Sequence, residues 1–192
     1  MDADRLGATF VCATGTEARA ARRLGARTVV VGVGVRRPLP ACGWLVSFGL
    51  AGGLHDGLAR GDVLDATRVV DASGAVLWEG GPLGAAGARG GTILAVERLV
   101  DDPEERRRLH EQTGADAADM ESGILARTGR LGGCLRAVSD TPAAPLGPLA
   151  AAIGADGRLR PARLVGALGR PRQTIRALAG VRLALRRLAE AA

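Results

Sequence analysis

The stretch Trp44-Leu45-Val46-Ser47-Phe48-Gly49-Leu50-Ala51-Gly52-Gly53-Leu54 decides the fold. Its first half, Trp44 to Phe48, is a short apolar run of the kind that forms a buried strand. The run then opens onto glycines and other small residues, which let backbone N–H groups approach an anion or a sugar oxygen closely. In open α/β sheets, ligands bind beyond the carboxyl ends of strands, and this is where the glycines stand. Taken alone, the cluster reads equally well as a tight turn leaving a strand.

Working toward the N-terminus, Thr28 to Val33 is a β-branched run and a strand. Ala8 to Ala13 is a short buried strand, followed by the turn Thr14-Gly15-Thr16 and a helix from Glu17, which makes a β-loop-α unit. Gly32-Val33-Gly34 begins like a dinucleotide fingerprint, but arginine and proline follow where a third glycine and a helix belong, so a Rossmann cofactor site is a remote alternative. Toward the C-terminus, Asp62 to Val70 and Ala75 to Trp78 read as strands joined by the hairpin turn Asp71-Ala72-Ser73-Gly74. Thr92 to Val96 is a further strand. Asp101-Asp102 caps a helix with Pro103 at its first position, running from Glu104 to Gln112. A helix opening with acids is expected over Asp119 to Thr128, then a strand from Cys134 to Val138 that closes in Ser139-Asp140.

This alternation of strands and helices is the α/β signature. The 192 residues suit one domain spanning 1–192, with a core at 8–140 and a loop plus C-terminal helix over 141–192. Thr141 to Pro161 is rich in proline and glycine and reads as loop. Thr174 to Ala189 is helical, with Leu178, Val181, Leu185 and Leu188 on one stripe and Arg176, Arg186 and Arg187 away from it. That pattern suits packing on the sheet. It also fits an interfacial helix in peripheral contact with a membrane.

Composition narrows the classes of function. The net charge is +6 and every basic residue is arginine, a bias that a GC-rich coding sequence also produces. Aromatics are 2% with no tyrosine, so the stacking platform of a single-strand binder is missing and nucleic acid is not an expected partner. Cys12, Cys42 and Cys134 are odd in number and show no C-x-x-C spacing, which argues against a disulfide framework and a zinc site. The first residues show no basic segment leading an apolar core, and no apolar run reaches the length of a membrane span. A soluble, cytoplasmic protein without a metal is expected.

Two acidic sites complete the picture. Ala118-Asp119-Met120-Glu121-Ser122 places acids where a helix begins, a position that capping alone also explains. Ser139-Asp140 ends an apolar strand, where aspartate is often a turn former. In order and spacing, the glycine cluster at 47–54, the Gly61-Asp62-Val63-Leu64 that follows, the segment 118–122 and Leu135-Arg136-Ala137-Val138-Ser139-Asp140 resemble the nucleoside phosphorylase and nucleosidase superfamily. The resemblance covers roughly Ala8 to Asp140. With the start at 11–23, the tail from Leu135 to Pro148 and Gly169-Arg170-Pro171-Arg172-Gln173, the sequence is most similar to the hopanoid-associated phosphorylases, which are thought to remove adenine from adenosylhopane.

That resemblance implies a single-domain, three-layer fold around a central mixed sheet, and a homo-oligomer. It implies cleavage of the N-glycosidic bond of a purine nucleoside, with a lipid-linked nucleoside among the candidates. The transition state has oxocarbenium character on the sugar and negative charge arriving on the base, so catalysis needs an acid at the base and anchoring at the sugar. Asp140 matches the family aspartate that serves the purine N7, and to donate a proton it must be held neutral by burial. Ser139 stands beside it as a substrate contact. Glu121 matches the carboxylate that accepts from the ribose hydroxyls, with Met120 packing under the sugar. Gly49, Leu50, Ala51 and Gly52 match the loop that gives backbone contacts to base, sugar or phosphate, and Glu17 is the candidate for activating water. No cofactor is implied beyond inorganic phosphate as an alternative nucleophile, for which Arg19, Arg22, Arg36 and Arg37 are at hand.

In one place the sequence departs from the family. Only Arg36 to Gly43 lies where the family has a crossover helix, and a parallel crossover generally takes a dozen or more residues. One helix is therefore expected to be lost, which admits a second reading as a member that binds nucleosides without turnover.

Overall fold

The computed structural model describes residues 7–152 and 170–191. In chain order the elements are β1 (Thr9–Cys12), α1 (Gly15–Arg22), β2 (Arg27–Val30), β3 (Leu45–Gly53), β4 (Val63–Val70), β5 (Val76–Glu79), β6 (Arg89–Ala95), α2 (Pro103–Thr113), β7 (Ala117–Asp119), α3 (Ser122–Arg127), β8 (Leu131–Asp140), α4 (Pro148–Ala152) and α5 (Pro171–Ala191). The α/β alternation is as the sequence implies.

All eight strands share one mixed sheet, in the order β2-β1-β3-β7-β6-β4-β5, with β8 bridging β3 and β4. β8 runs parallel to β3 and antiparallel to β4, β4 parallel to β6, β6 parallel to β7, and β7 antiparallel to β3. These five strands close a ring, which removes the unpaired edges that an open sheet would leave there. β1 and β2 extend the sheet from β3, and β5 extends it from β4.

Helices cover the sheet on both faces. Ala18, Ala20 and Ala21 of α1 and Ala184, Leu188 and Ala191 of α5 pack with Phe10, Val46, Phe48, Leu135 and Ala137. On the other face, Leu125 and Ala126 of α3 pack with Val11, Leu45, Cys134 and Val138. The segment joining β2 to β3 lies on this second face and contributes Val35 and Leu39. It has to pass over β1, because β1 pairs in parallel with both β2 and β3. Residues 31–44 contain no helix, so the lost crossover helix is replaced by a bare strap.

Five expectations are corrected. The strand expected over Thr28 to Val33 ends at Val30, because Gly32, Gly34 and Val35 all take positive φ, 82°, 68° and 52°, and curl the chain. The glycines after Phe48 are no loop: strand β3 continues through Gly53, pairing with β8 as far as Gly52 and with β7 at Gly52 and Gly53. Asp119 belongs to strand β7, and the helix begins only at Ser122. The buried face of α5 is Thr174, Ala177, Gly180, Ala184, Leu188 and Ala191, whereas Leu178, Val181 and Leu185 are half-buried. Small residues make that face because α5 lies very close to the sheet: a Cβ on Gly180 would sit 2.6 Å from the Ser139 carbonyl oxygen. Within the expected loop 141–161, residues 148–152 form α4 and residues 153–161 lie outside the described chain.

Candidate active site

Two buried clusters of opposite charges meet the second half of β3, one at Gly49 and Leu50 and the other at Gly52 and Gly53. The first is organised by Arg136, which is fully buried. Its Nη2 lies 2.5 Å from Asp119 Oδ2 and 3.5 Å from Glu121 Oε2, and donates to Ser47 Oγ (2.6 Å) and Ser122 Oγ (3.3 Å). Its Nη1 donates to the Leu50 carbonyl (3.3 Å), and its Nε is a buried polar atom with no hydrogen-bond partner among the described residues. Burial works against the charge on Arg136, but Asp119 and Glu121 outweigh it, so its pKa lies above the ordinary arginine value.

Glu17 joins this cluster from α1. Thr14 is the N-cap, and its backbone N–H and hydroxyl both donate to Glu17 Oε2 (2.7 and 2.9 Å), while the Glu17 N–H donates back to Thr14 Oγ1. This is a capping box. The other oxygen, Oε1, accepts from the Leu50 N–H at 2.9 Å. Glu17 therefore ties α1 to β3, and Leu50 spends both of its backbone groups on Glu17 and Arg136 rather than offering them to a ligand. Gly49 is required here: a Cβ would come within 2.4 Å of Glu17 Oε1 and 2.7 Å of Arg136 Nη1.

Glu121 follows β7 and precedes α3, and only 4% of it is exposed. Its Oε1 accepts from the Gly34 N–H at 2.8 Å, so the strap closes directly over it. Burial pushes its pKa up to about 7; Arg136 opposes the shift, and Asp119 and Glu17 add to it. Met120 packs beside the same loop, its Cε 3.9 Å from the place of a Gly34 Cβ. The thiols of Cys12 and Cys134 are pushed up by burial, to about 12 and about 11, and are not poised as nucleophiles.

The second cluster forms around Asp140, 3% exposed at the end of β8. Between the pairs Ala51–Val138 and Gly52–Asp140, β8 carries one extra residue, Ser139. Such a bulge reverses which face the following side chains take, and it turns Asp140 to the side of Gly52. The Ser139 hydroxyl donates to Asp140 Oδ1 and has the Ala51 carbonyl as a second acceptor at 3.3 Å. Asp140 Oδ2 accepts from Arg106 Nη2. Asp140 is buried, and the Arg106 guanidinium stands against it.

The structure thus brings Glu17, Glu121, Gly49 and Leu50 together at Arg136, with Met120 beside them, and gathers Ala51, Gly52, Ser139 and Asp140 at Arg106. Arg136, Arg106, Asp119, Ser47 and Ser122 were not singled out from the sequence. An arginine in the apolar run Cys134 to Val138 was the available signal for Arg136, but arginine is too common in this chain for it to stand out.

No protein-family model and no curated protein matches the chain. Among solved structures, it is similar to futalosine hydrolase of Helicobacter pylori, with a TM-score of 0.56 and 14% identity over 95% of this chain and 94% of that one. It is similar to a 5'-methylthioadenosine/S-adenosylhomocysteine nucleosidase from Colwellia psychrerythraea in complex with adenine, with a TM-score of 0.57 and 14% identity over 96% of this chain and 95% of that one. The corresponding nucleosidase of Campylobacter jejuni matches with a TM-score of 0.51 and 14% identity over 96% and 99%. The chain has the fold of these solved structures.

Proposed function

We propose that this chain is a nucleosidase that cleaves the N-glycosidic bond of an adenine nucleoside, with water as the nucleophile. The observation that carries this reading is the pair of clusters on β3, in which Glu17 and Glu121 share one buried site and Asp140 ends the strand beside it. In the reaction, the C1'–N9 bond breaks with its electron pair going to the base. Water adds to C1' and gives up its proton to Glu17, whose Oε1 keeps a free lone pair. Glu121 accepts from the ribose hydroxyls once they displace the Gly34 N–H. Asp140 passes a proton to N7 of the departing base, and Oδ1 holds that proton when the Ser139 hydroxyl turns to the Ala51 carbonyl.

Water is favoured over phosphate by charge. The one buried guanidinium described in the first cluster, Arg136, already faces Asp119, Glu121 and Glu17, and a dianion brought there meets a site with more carboxylates than cations. Arg36 and Arg37 are exposed on the strap. The neighbours' substrates and the resemblance to hopanoid-associated phosphorylases set the panel: methylthioadenosine, adenosylhomocysteine, futalosine, adenosine and adenosylhopane, with phosphate varied. Free base and unphosphorylated sugar are the expected products. Asp140→Asn is expected to slow release about 100-fold or more, the usual contribution of a general acid, with an unchanged circular dichroism spectrum. No base released from any member of the panel rules the reading out.

One observation favours a second reading. The strap that replaces the crossover helix occupies Glu121 through Gly34, as it would in a protein that binds nucleosides without turning them over. Heat of binding in calorimetry without product by chromatography decides for the binder.

A further inference from the structure

Helix α5 rests on the sheet mostly through small residues, Thr174, Ala177, Gly180 and Ala184 among them. Its larger apolar side chains are therefore left outside the core: Ile175 is 65% exposed, and Leu178, Leu183 and Leu185 are half-buried. At the helical repeat, Ile175, Ala179, Arg182 and Arg186 make up the stripe opposite the buried one.

Two grooves run beside that stripe, each of about 460 Å³. Among the described residues the first is lined by Ile175, Leu178, Ala179, Arg182, Leu183 and Arg186. The second lies between α5 and α1, where Arg19 and Arg23 join Arg182 and Arg186 around Leu185 and Ala189. Arg182 and Arg186 belong to both. The acid on this surface is Glu190, which already lies 3.4 Å from Arg186 and 3.2 Å from Arg187. Arg19, Arg23 and Arg182 are exposed and have no carboxylate partner among the described residues.

Uncompensated cations thus stand against an apolar strip along one helix, and three kinds of occupant meet such a surface differently. A second copy of the chain, docked face to face, would set arginines against arginines. A nucleic acid answers the charge but brings no apolar layer for Ile175 and Leu178. An anionic bilayer brings phosphate charge and acyl chains at one boundary, which is the layering that an amphipathic surface helix matches.

We propose that the outer face of α5, with the α1 arginines beside it, is a docking surface for an anionic phospholipid membrane. Ile175 and its apolar neighbours enter the boundary between headgroups and acyl chains, and Arg19, Arg23, Arg182 and Arg186 hold lipid phosphates. The proposal is independent of the nucleosidase reading. It also places the second cluster: the inner face of α5 lies against the Ser139 carbonyl oxygen, 2.6 Å from the place of a Gly180 Cβ. Asp140 then stands about one helix diameter, roughly 10 Å, from the docked face.

Co-sedimentation of the full chain with vesicles tests this, using phosphatidylcholine alone and a roughly 2:1 mixture with phosphatidylglycerol, at low and physiological salt. The wild type is expected to pellet with the anionic vesicles and not with phosphatidylcholine, and less at physiological salt. A basic residue near an anionic surface is worth about fivefold in partitioning, so Arg19→Gln/Arg23→Gln/Arg182→Gln is expected to weaken binding by about tenfold or more. The same charge removed at the exposed Arg68, Arg108 and Arg127 is expected to weaken it by about threefold or less. Ile175→Asn keeps the charge and is expected to weaken binding by about threefold or more through lost insertion. Every substituted side chain is exposed, and an unchanged melting temperature shows each variant folded. A wild type that does not bind anionic vesicles, or equal binding by the two triple variants, overturns the proposal and leaves the nucleosidase reading standing. So does Ile175→Asn binding like the wild type, which reduces the face to bare charge, or a stable dimer that Ile175→Asn dissociates, which assigns the face to a second copy.

Discussion

At the scale of the residue, Glu121 makes the most direct prediction. Burial raises its pKa from an ordinary 4.5 to about 7, so the folded chain holds a proton that the unfolded chain releases at lower pH. The stability this contributes is fully present below about pH 4.5 and is lost as pH rises through about 7. Melting temperature is expected to fall between pH 5 and pH 8, less steeply in Glu121→Gln, where the amide oxygen still accepts from Gly34. Hydrogen bonds donated by ribose hydroxyls favour the charged form of Glu121, so nucleoside binding near pH 7 is expected to release part of this proton. Titrations in buffers of different ionisation enthalpy will show it, and identical heats in all buffers would contradict the assignment. Glu17, Glu121 and Asp140 were legible in the sequence because each stands in an ordered motif. Arg136 and Arg106 were not, since Arg106 opens a run of three arginines and nothing local says which of them turns inward.

At the scale of the element, the docking of α5 is the sharpest case. Gly180→Ala in an exposed helix stabilises by about 1 kcal/mol. In this helix the added methyl would lie 2.6 Å from both the Ser139 carbonyl oxygen and Arg60 Cδ. Arg60 can move but the backbone oxygen cannot, and overpacking of this kind costs about 1–3 kcal/mol, so the clash outweighs the helix propensity. Gly180→Ala is expected to lower the unfolding midpoint in urea, and to disturb Ser139 and Asp140 as well. An unchanged or raised midpoint would show that α5 sits farther from the sheet. The sequence showed this helix but misplaced its face, because large apolar residues draw the eye while close packing selects small ones. The same reasoning explains Asp119: one acid placed before a helix looks like a cap, and only the register with Ala95 reveals a strand.

At the scale of the whole molecule, the alternation of strands and helices was enough to give the α/β class, and the short segment 36–43 was enough to give the missing helix. The ring of strands was not legible, because no local pattern records that β8 reaches both β3 and β4. Since the ring draws on residues 45–140 and α1 and α5 share one core with it, the chain is expected to unfold in a single transition followed equally by circular dichroism and Trp fluorescence. Separate transitions would divide the C-terminal helix from the rest. Closure has a further consequence. An open sheet can let one strand slide past its neighbour by two residues and keep its buried face, but a ring fastened through five pairings has no free side on which to slide. The three-residue step along β3 from Gly49 to Gly52, about 10 Å at the usual rise of a strand, therefore behaves as a fixed gauge between the two charged clusters, and a ligand that joins them has to match its length.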